Sequence, residues 1–172
     1  MINSISSASE YRPKSFNDMI GQDAIVKTLN NAIKNDNIPQ ALLFCGPRGV
    51  GKTSCARILA KTINNLEDDF EYNIFELDAA SNNSVEDIRN ITDQIRIPPQ
   101  TGRYKVYIID EVHMLSNQAF NAFLKSLEEP PEHVVFILAT TEKNKILPTI
   151  LSRCQIYDFK KVDNESIIKL LS

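Results

Sequence analysis

The sequence predicts an α/β fold, a single parallel sheet covered by helices on both faces. Three observations carry this. Five short apolar runs alternate with segments of helical periodicity. The first run leads through a glycine-rich loop, Gly46-Pro47-Arg48-Gly49-Val50-Gly51-Lys52-Thr53, into a helix. The third run ends in two carboxylates, Asp110 and Glu111. Strands joined by helices must cross over, and such crossovers place helices on both faces of a parallel sheet.

Each element follows from its residues. Residues 1 to 9 are polar and predict a loose start. From Ala24 to Lys34, apolar Ile25, Leu29, Ala32 and Ile33 recur at helical spacing, and Asn35 to Pro39 ends that helix. Ala41 to Cys45 is a continuous apolar run, the signature of a buried strand. Ser54 to Asn64 is helical, with Ala56, Ile58, Leu59, Ala60 and Ile63 inward. Residues 65 to 72 read as a surface connection, and Ile74 to Asp78 as the second strand. Ser84-Val85-Glu86-Asp87 resembles a capping box and predicts a helix to about Ile95. A break at Pro98 to Gly102 precedes the third strand, Val106 to Ile109. Ser116 to Leu127 is a helix with Ala119, Phe120, Phe123, Leu124 and Leu127 inward, stopped by Glu128-Glu129-Pro130-Pro131. Val134 to Ala139 and Gln155 to Phe159 complete five strands. From Val162 a further amphipathic segment begins.

The glycine-rich loop fits G-x-x-x-x-G-K-[ST], and its strand-loop-helix setting is the context that motif requires. Glycines let successive N–H groups turn inward toward an anion, and the helix start adds its positive dipole end. Lys52 can reach the outer phosphates of a nucleotide, and the Thr53 hydroxyl can ligate magnesium. Asp110 would hold that metal, directly or through water. Glu111 would orient or activate the water attacking the terminal phosphate. His113 is expected to be a packed or surface histidine beside the site. A hydroxyl at Thr140-Thr141 could position the terminal phosphate, and Arg153 could stabilise phosphate charge in cis or on a neighbouring subunit; capping or solvation explains either as readily.

With 172 residues the chain suits one domain with a sizeable core. No apolar run nears the roughly 20 residues that cross a bilayer, and the first ten residues lack a signal-peptide pattern, so a cytoplasmic location is expected. Cys45, Cys55 and Cys154 lie far apart without metal-ligand spacing and read as small buried thiols. A net charge of −3 gives no global attraction to nucleic acid but leaves room for a local DNA-binding face.

Taken together, these residues resemble the clamp-loader group of AAA+ ATPases. The resemblance runs from Tyr11-Arg12-Pro13, with Phe16 and Ile20-Gly21-Gln22, through Gly46 to Thr53 and Leu77 to Ser81. It continues through Tyr107 to Leu115, Leu124 to Pro131 and Leu138 to Thr141, and closes on Ile150-Leu151-Ser152-Arg153-Cys154. It implies a three-layer αβα P-loop NTPase with a five-stranded parallel sheet, ATP and magnesium as ligands, and residues Arg12, Pro13 and Ile20 around the adenine, with Ser54 following the phosphate loop. It implies Thr141 as sensor of the terminal phosphate and Arg153 as the finger completing a neighbour's site. The implied partners are other clamp-loader subunits, the sliding clamp and primed DNA, with no membrane. Implied DNA-facing positions, Asn82-Asn83-Ser84 and Ser116-Asn117-Gln118, are neutral, and helix capping explains them equally well.

Three features depart from the group's pattern. Asn64 to Tyr72 carries no cysteine where a four-cysteine zinc module usually stands, so no zinc is expected. Ser9-Glu10 stands where basic residues are usual. Residues 1–161 are expected to form the nucleotide-binding domain and 162–172 to open a helical lid, whose second sensor arginine and following collar lie outside the 172 residues. A nucleotide-gated scaffold with little hydrolysis, or another AAA+ motor such as a Holliday-junction helicase, remains as an alternative.

Overall fold

The alternating pattern closes into three layers in the computed structural model, which describes residues 13–65 and 73–162. Five parallel strands form one sheet: β1 (Ala41–Cys45), β2 (Ile74–Asp78), β3 (Lys105–Asp110), β4 (Val134–Thr140) and β5 (Gln155–Asp158), in the order β2-β3-β4-β1-β5. The register is regular, with Leu43 beside Leu138 and Ile156, and Asp78 beside Asp110. The three central strands, β1, β3 and β4, are buried along nearly their whole length, whereas edge strands β2 and β5 are half exposed. Continuous Leu, Ile, Val and Phe runs suit strands covered on both faces.

Helix α1 (Asp23–Lys34) and helix α2 (Lys52–Asn64) cover one face. The opposite face carries α3 (Val85–Thr92), α4 (Asn117–Glu128) and the short α5 (Pro148–Leu151). Strand alternation sorts the core between them. Leu42, Phe44, Val106, Ile108, Val135 and Ile137 pack toward α1 and α2. Leu43, Tyr107, Ile109, Phe136 and Leu138 pack toward α3, α4 and α5.

Local chemistry sets the helix ends. Ser84 and Asp87 form the reciprocal capping box, Ser84 Oγ accepting from the Asp87 amide at 3.2 Å and Asp87 Oδ2 from the Ser84 amide at 3.2 Å. Such a cap contributes about 1 kcal/mol. Ser116 Oγ accepts from the Ala119 amide at 3.1 Å, so this polar side chain caps α4. The third helix ends at Thr92, before the expected Ile95, because the chain relaxes into turns whose Ile95 amide reaches Thr92 O. The second helix begins two residues earlier than periodicity indicates, at Lys52, since the glycine loop itself supplies the entry. Helix α5 carries Pro at its first position, a start that apolar periodicity alone does not reveal in four residues. The connection at 66–72 and the segment at 163–172 lie outside the described residues.

Candidate functional site

All the chemistry-bearing residues of β1, β3 and β4 emerge at the carboxyl edge of the sheet, where open parallel sheets gather ligands. The loop leaving β1 curls through three positive-φ glycines, Gly46 (φ 153°), Gly49 (φ 79°) and Gly51 (φ 97°). Gly46 is also fixed sterically by backbone, whereas at Gly51 the neighbour is a movable methionine end. A Cβ on Gly46 would sit 2.8 Å from the Phe159 carbonyl, and one on Gly51 would sit 2.9 Å from Met19 Cε. The loop opens into a polar cavity of ≈ 480 Å³ lined by Arg48, Gly49, Gly51, Lys52, Thr53 and Ser54 on one side. Arg57, Asp78, Asp110 and Glu111 line the other.

Lys52 is buried, and its ammonium donates to the Gly46 and Pro47 carbonyls at 2.6 Å each. Burial lowers its pKa, and the carboxylates of Glu111 and Asp110 work against that shift. A cation folded onto neutral carbonyls has a stronger partner in any phosphate that enters the loop. Thr53 Oγ1 donates to Asp110 Oδ2 at 3.1 Å, and Asp110 Oδ1 accepts from the Glu111 amide at 2.9 Å. This pairs a hydroxyl with a fixed carboxylate, the oxygen donor set a hard divalent cation uses. Among the described residues no three His, Cys, Asp or Glu side chains converge on one point. A cation here would therefore complete its shell from ligand oxygens and water, as magnesium does with phosphates.

Glu111 sits in the left-handed region (φ 51°, ψ 47°), a conformation that costs a non-glycine residue about 1 kcal/mol or more. That turn directs its carboxylate toward β4. There Glu111 Oε2 accepts from Thr141 Oγ1 at 3.0 Å and lies 3.4 Å from His113 Nε2. His113 Nδ1 is 2.8 Å from Thr140 Oγ1. Of the packed and surface positions expected for His113 the packed one is observed, with a side chain 6% exposed and a polar neighbour at each ring nitrogen.

Of the residues singled out by sequence, Lys52, Thr53, Asp110, Glu111 and Thr141 converge here, and Arg48, Gly49, Gly51 and Ser54 line the cavity. Gly46 and Pro47 contribute their carbonyls to Lys52. Val50 gives the loop its backbone, while its side chain packs into the core beneath α1 and α2. Pro13 and Ile20 do not line the cavity; Ile20 is 37% exposed. Arg12 lies outside the described residues. Arg153 follows α5, away from the cavity, with its side chain 48% exposed and Glu128 Oε1 4.0 Å away. Two lining residues went unnoticed in the sequence. Asp78 ends β2 in register with Asp110, so a strand closing on Asp was its signal. Arg57 forms a bidentate pair with Glu76 of β2 at 2.5 and 2.9 Å, and no local pattern in α2 announced it.

Comparison with known proteins agrees with this architecture. A family model described as DNA polymerase III, delta subunit, matches residues 21–163. The tau subunit of DNA polymerase III from Bacillus subtilis is 49% identical over 92% of this chain and 31% of its own length. The Escherichia coli tau subunit is 46% identical over 93% of this chain and 28% of its own. A gamma subunit from Buchnera aphidicola is 44% identical over 96% of this chain and 49% of its own. The chain thus spans about half the length of that gamma subunit and less than a third of the two tau subunits. Among solved structures, a gamma-subunit-related protein of DNA polymerase III from Thermotoga maritima superposes with a TM-score of 0.68 at 28% identity. That match covers 80% of this chain and 47% of the other. The Thermotoga maritima RuvB branch migration motor superposes with a TM-score of 0.73 over 94% of this chain and 52% of its own, and at 22% identity it shows a shared AAA+ fold. In the described residues no helix is long and apolar enough to cross a membrane. The chain belongs to the DNA polymerase III clamp-loader family of AAA+ proteins, and within it resembles the tau and gamma subunits.

Proposed function

We propose that this chain binds and hydrolyses magnesium-ATP as a motor unit of a clamp loader, coupling the nucleotide to placement of a sliding clamp on primed DNA during replication. The single observation that carries the nucleotide reading is the buried Lys52, folded onto two carbonyls within a loop of positive-φ glycines and facing Asp110 and Glu111 across one polar cavity. Residues 46–54 wrap the triphosphate with main-chain amides, and Lys52 swings from its carbonyls to the outer phosphates. Thr53 and Asp110 hold magnesium, which supplies neutralisation of phosphate charge when bound. Glu111 orients the attacking water, and Thr141, already bonded to that carboxylate, senses the terminal phosphate.

Arg153 is exposed at the end of α5 and serves a neighbouring subunit's site rather than its own. Pro13 and Ile20, with Arg12, approach the adenine. Residues 1–161 are the nucleotide-binding unit, and 162–172 start a helical lid. The relatives' names support membership of a DNA polymerase III assembly; the proposed partners are its other subunits, the sliding clamp and primed DNA, and the proposed location is the cytoplasm.

Two observations favour the scaffold alternative for the chain alone. The Glu111 carboxylate is already engaged by Thr141, and Arg153 lies outside the cavity, so hydrolysis without a neighbour is slow. Calorimetry tests the core of the proposal. The chain is expected to bind ATP with magnesium, and Lys52→Ala to abolish that heat; equal affinity in both would refute the site.

A further inference from the structure

We propose that His113 is the positioning residue for Glu111, its ring fixed in one tautomer by Thr140 so that an N–H faces the Glu111 carboxylate. The inference rests on the reading of Glu111 as the group that orients the attacking water. It assigns a task to a histidine that the sequence reads as packing.

The hydrogen-bond order of the cluster dictates the tautomer. The Thr140 hydroxyl is fully buried, so its proton needs an acceptor inside the protein. Thr140 Oγ1 accepts from the Glu142 amide at 2.9 Å. Its own O–H then goes to His113 Nδ1, 2.8 Å away. A nitrogen that accepts carries no proton, so the neutral ring bears its hydrogen on Nε2. That nitrogen lies 3.4 Å from Glu111 Oε2. The chain therefore runs in one direction: Glu142 N–H to Thr140, Thr140 O–H to His113, His113 N–H toward Glu111.

The two neighbouring threonines at the end of β4 divide the task. Thr141 donates directly to Glu111 Oε2 at 3.0 Å. Thr140 acts one step removed, through the ring. If Thr141 turns toward an incoming phosphate, His113 is left as the donor that keeps the carboxylate aimed. This matters because Glu111 occupies the left-handed region, a conformation that persists only where surrounding contacts hold it. The ring is anchored by Thr140 on one side and faces Glu111 Oε2 at 3.4 Å on the other, with its side chain only 6% exposed. A 3.4 Å separation shortens when a charged ligand tightens the site, as hydrogen bonds of unliganded sites do.

Two measurements test this. Nitrogen-15 NMR of the full chain reads the tautomer directly, and only two histidines contribute, His113 and His133. The His113 signals, assigned by their loss in His113→Gln, are expected to show a protonated Nε2 and a bare Nδ1. Thr140→Val keeps the volume and should shift the ring to a tautomer mixture. A proton on Nδ1 in the unsubstituted chain overturns the inference.

The second measurement is ATP binding and turnover by the protein in its assembled complex. His113→Leu is expected to lower kcat about tenfold or more while ATP affinity stays within about twofold, since a misaimed group costs rate rather than binding. His113→Gln, which retains an N–H and an acceptor, should recover most of the loss; a ring that only fills space would not be rescued by it. Thr140→Val should slow turnover in the same direction and serves if His113→Leu does not fold. Full turnover in folded His113→Leu overturns the positioning role while leaving the ATPase proposal intact. Failure of the unsubstituted chain to bind ATP sinks that underlying proposal instead, and the tautomer still decides the ring's orientation.

Discussion

The two ends of the sheet bury the same kinds of polar side chain and use them in opposite ways. At the amino edge, Lys105 donates to the Gln94 carbonyl at 2.7 Å, and the His133 ring meets the Ile95 carbonyl at 2.8 Å. Asn64 accepts from the Tyr104 and Arg103 amides at 2.7 and 3.0 Å and donates to the Tyr104 carbonyl at 3.0 Å. Asn73 donates to the Thr101 and Tyr104 carbonyls, and Gln40 to the Pro131 carbonyl at 2.7 Å. These partners are backbone, apart from the Thr101 hydroxyl that donates to Asn73 Oδ1 at 3.0 Å, and the side chains staple loops to strands. At the carboxyl edge the bonds run mainly between side chains: Thr53 to Asp110, Thr141 to Glu111, Thr140 with His113. A backbone staple has nowhere better to go. A network of side chains beside an open cavity exchanges partners when a ligand arrives. Burial and satisfaction alone do not separate structure from function here, nor does a backbone partner, since Lys52 also bonds two carbonyls; an open polar cavity alongside does.

Swapping the two lysines should break that symmetry most visibly. Lys52→Ala is expected to lower ATP affinity roughly a hundredfold or more, the loss of two charge-assisted bonds, with little change in melting temperature. Lys105→Met should leave ATP affinity untouched and register only in the melting curve. Calorimetry beside thermal unfolding reads both, and a comparable loss of ATP affinity in the two variants would erase the distinction.

Glu111→Gln comes next in size. Phosphate-release assays on the assembled complex should find turnover down about a hundredfold with nucleotide binding retained. Asn64→Ala provides the converse at the amino edge. It orphans the amides of Arg103 and Tyr104, so denaturant titration should show a loss of about 3 kcal/mol with ATP affinity unchanged.

The smallest effect appears at alkaline pH. Burial pushes the Cys45 thiol up to about 11 and the Cys55 and Cys154 thiols up to about 12, from an ordinary value of 9.0. The folded chain thus keeps protons that the unfolded chain gives up. That part of its stability is complete below pH 9 and wanes as pH climbs through the folded-state values. Melting temperatures measured from pH 8 to 11 should fall steadily, and alkylation at pH 8 should be slow until the chain unfolds.

Much of this molecule was legible from its residues. The three central strands showed as unbroken apolar runs because burial on both faces leaves no polar alternation, while the half-exposed edge strands β2 and β5 carry polar residues among their apolar ones. The phosphate loop and the Asp110-Glu111 pair declared themselves because their chemistry sits in consecutive residues. The Glu111, His113, Thr140 and Thr141 cluster was less legible, since it joins the ends of two strands some thirty residues apart whose adjacency only the sheet order reveals. Arg57 and Asp78 were hidden for the same reason: one lies on a helix, the other ends an edge strand, and the cavity between them exists only in three dimensions. Val50 belongs to both layers of that reading, its backbone to the loop and its side chain to the core.

Gln22 joins three stretches of chain that are remote in sequence. Its amide donates to the Lys160 carbonyl at 2.6 Å, accepts from the Lys160 N–H at 3.1 Å, and reaches the Val50 carbonyl at 3.4 Å. One side chain therefore bolts the polypeptide leaving β5 to the hairline turn that follows β1. Gln22 is itself only 3% exposed, so water has little access to compete for the bonds that make this tie.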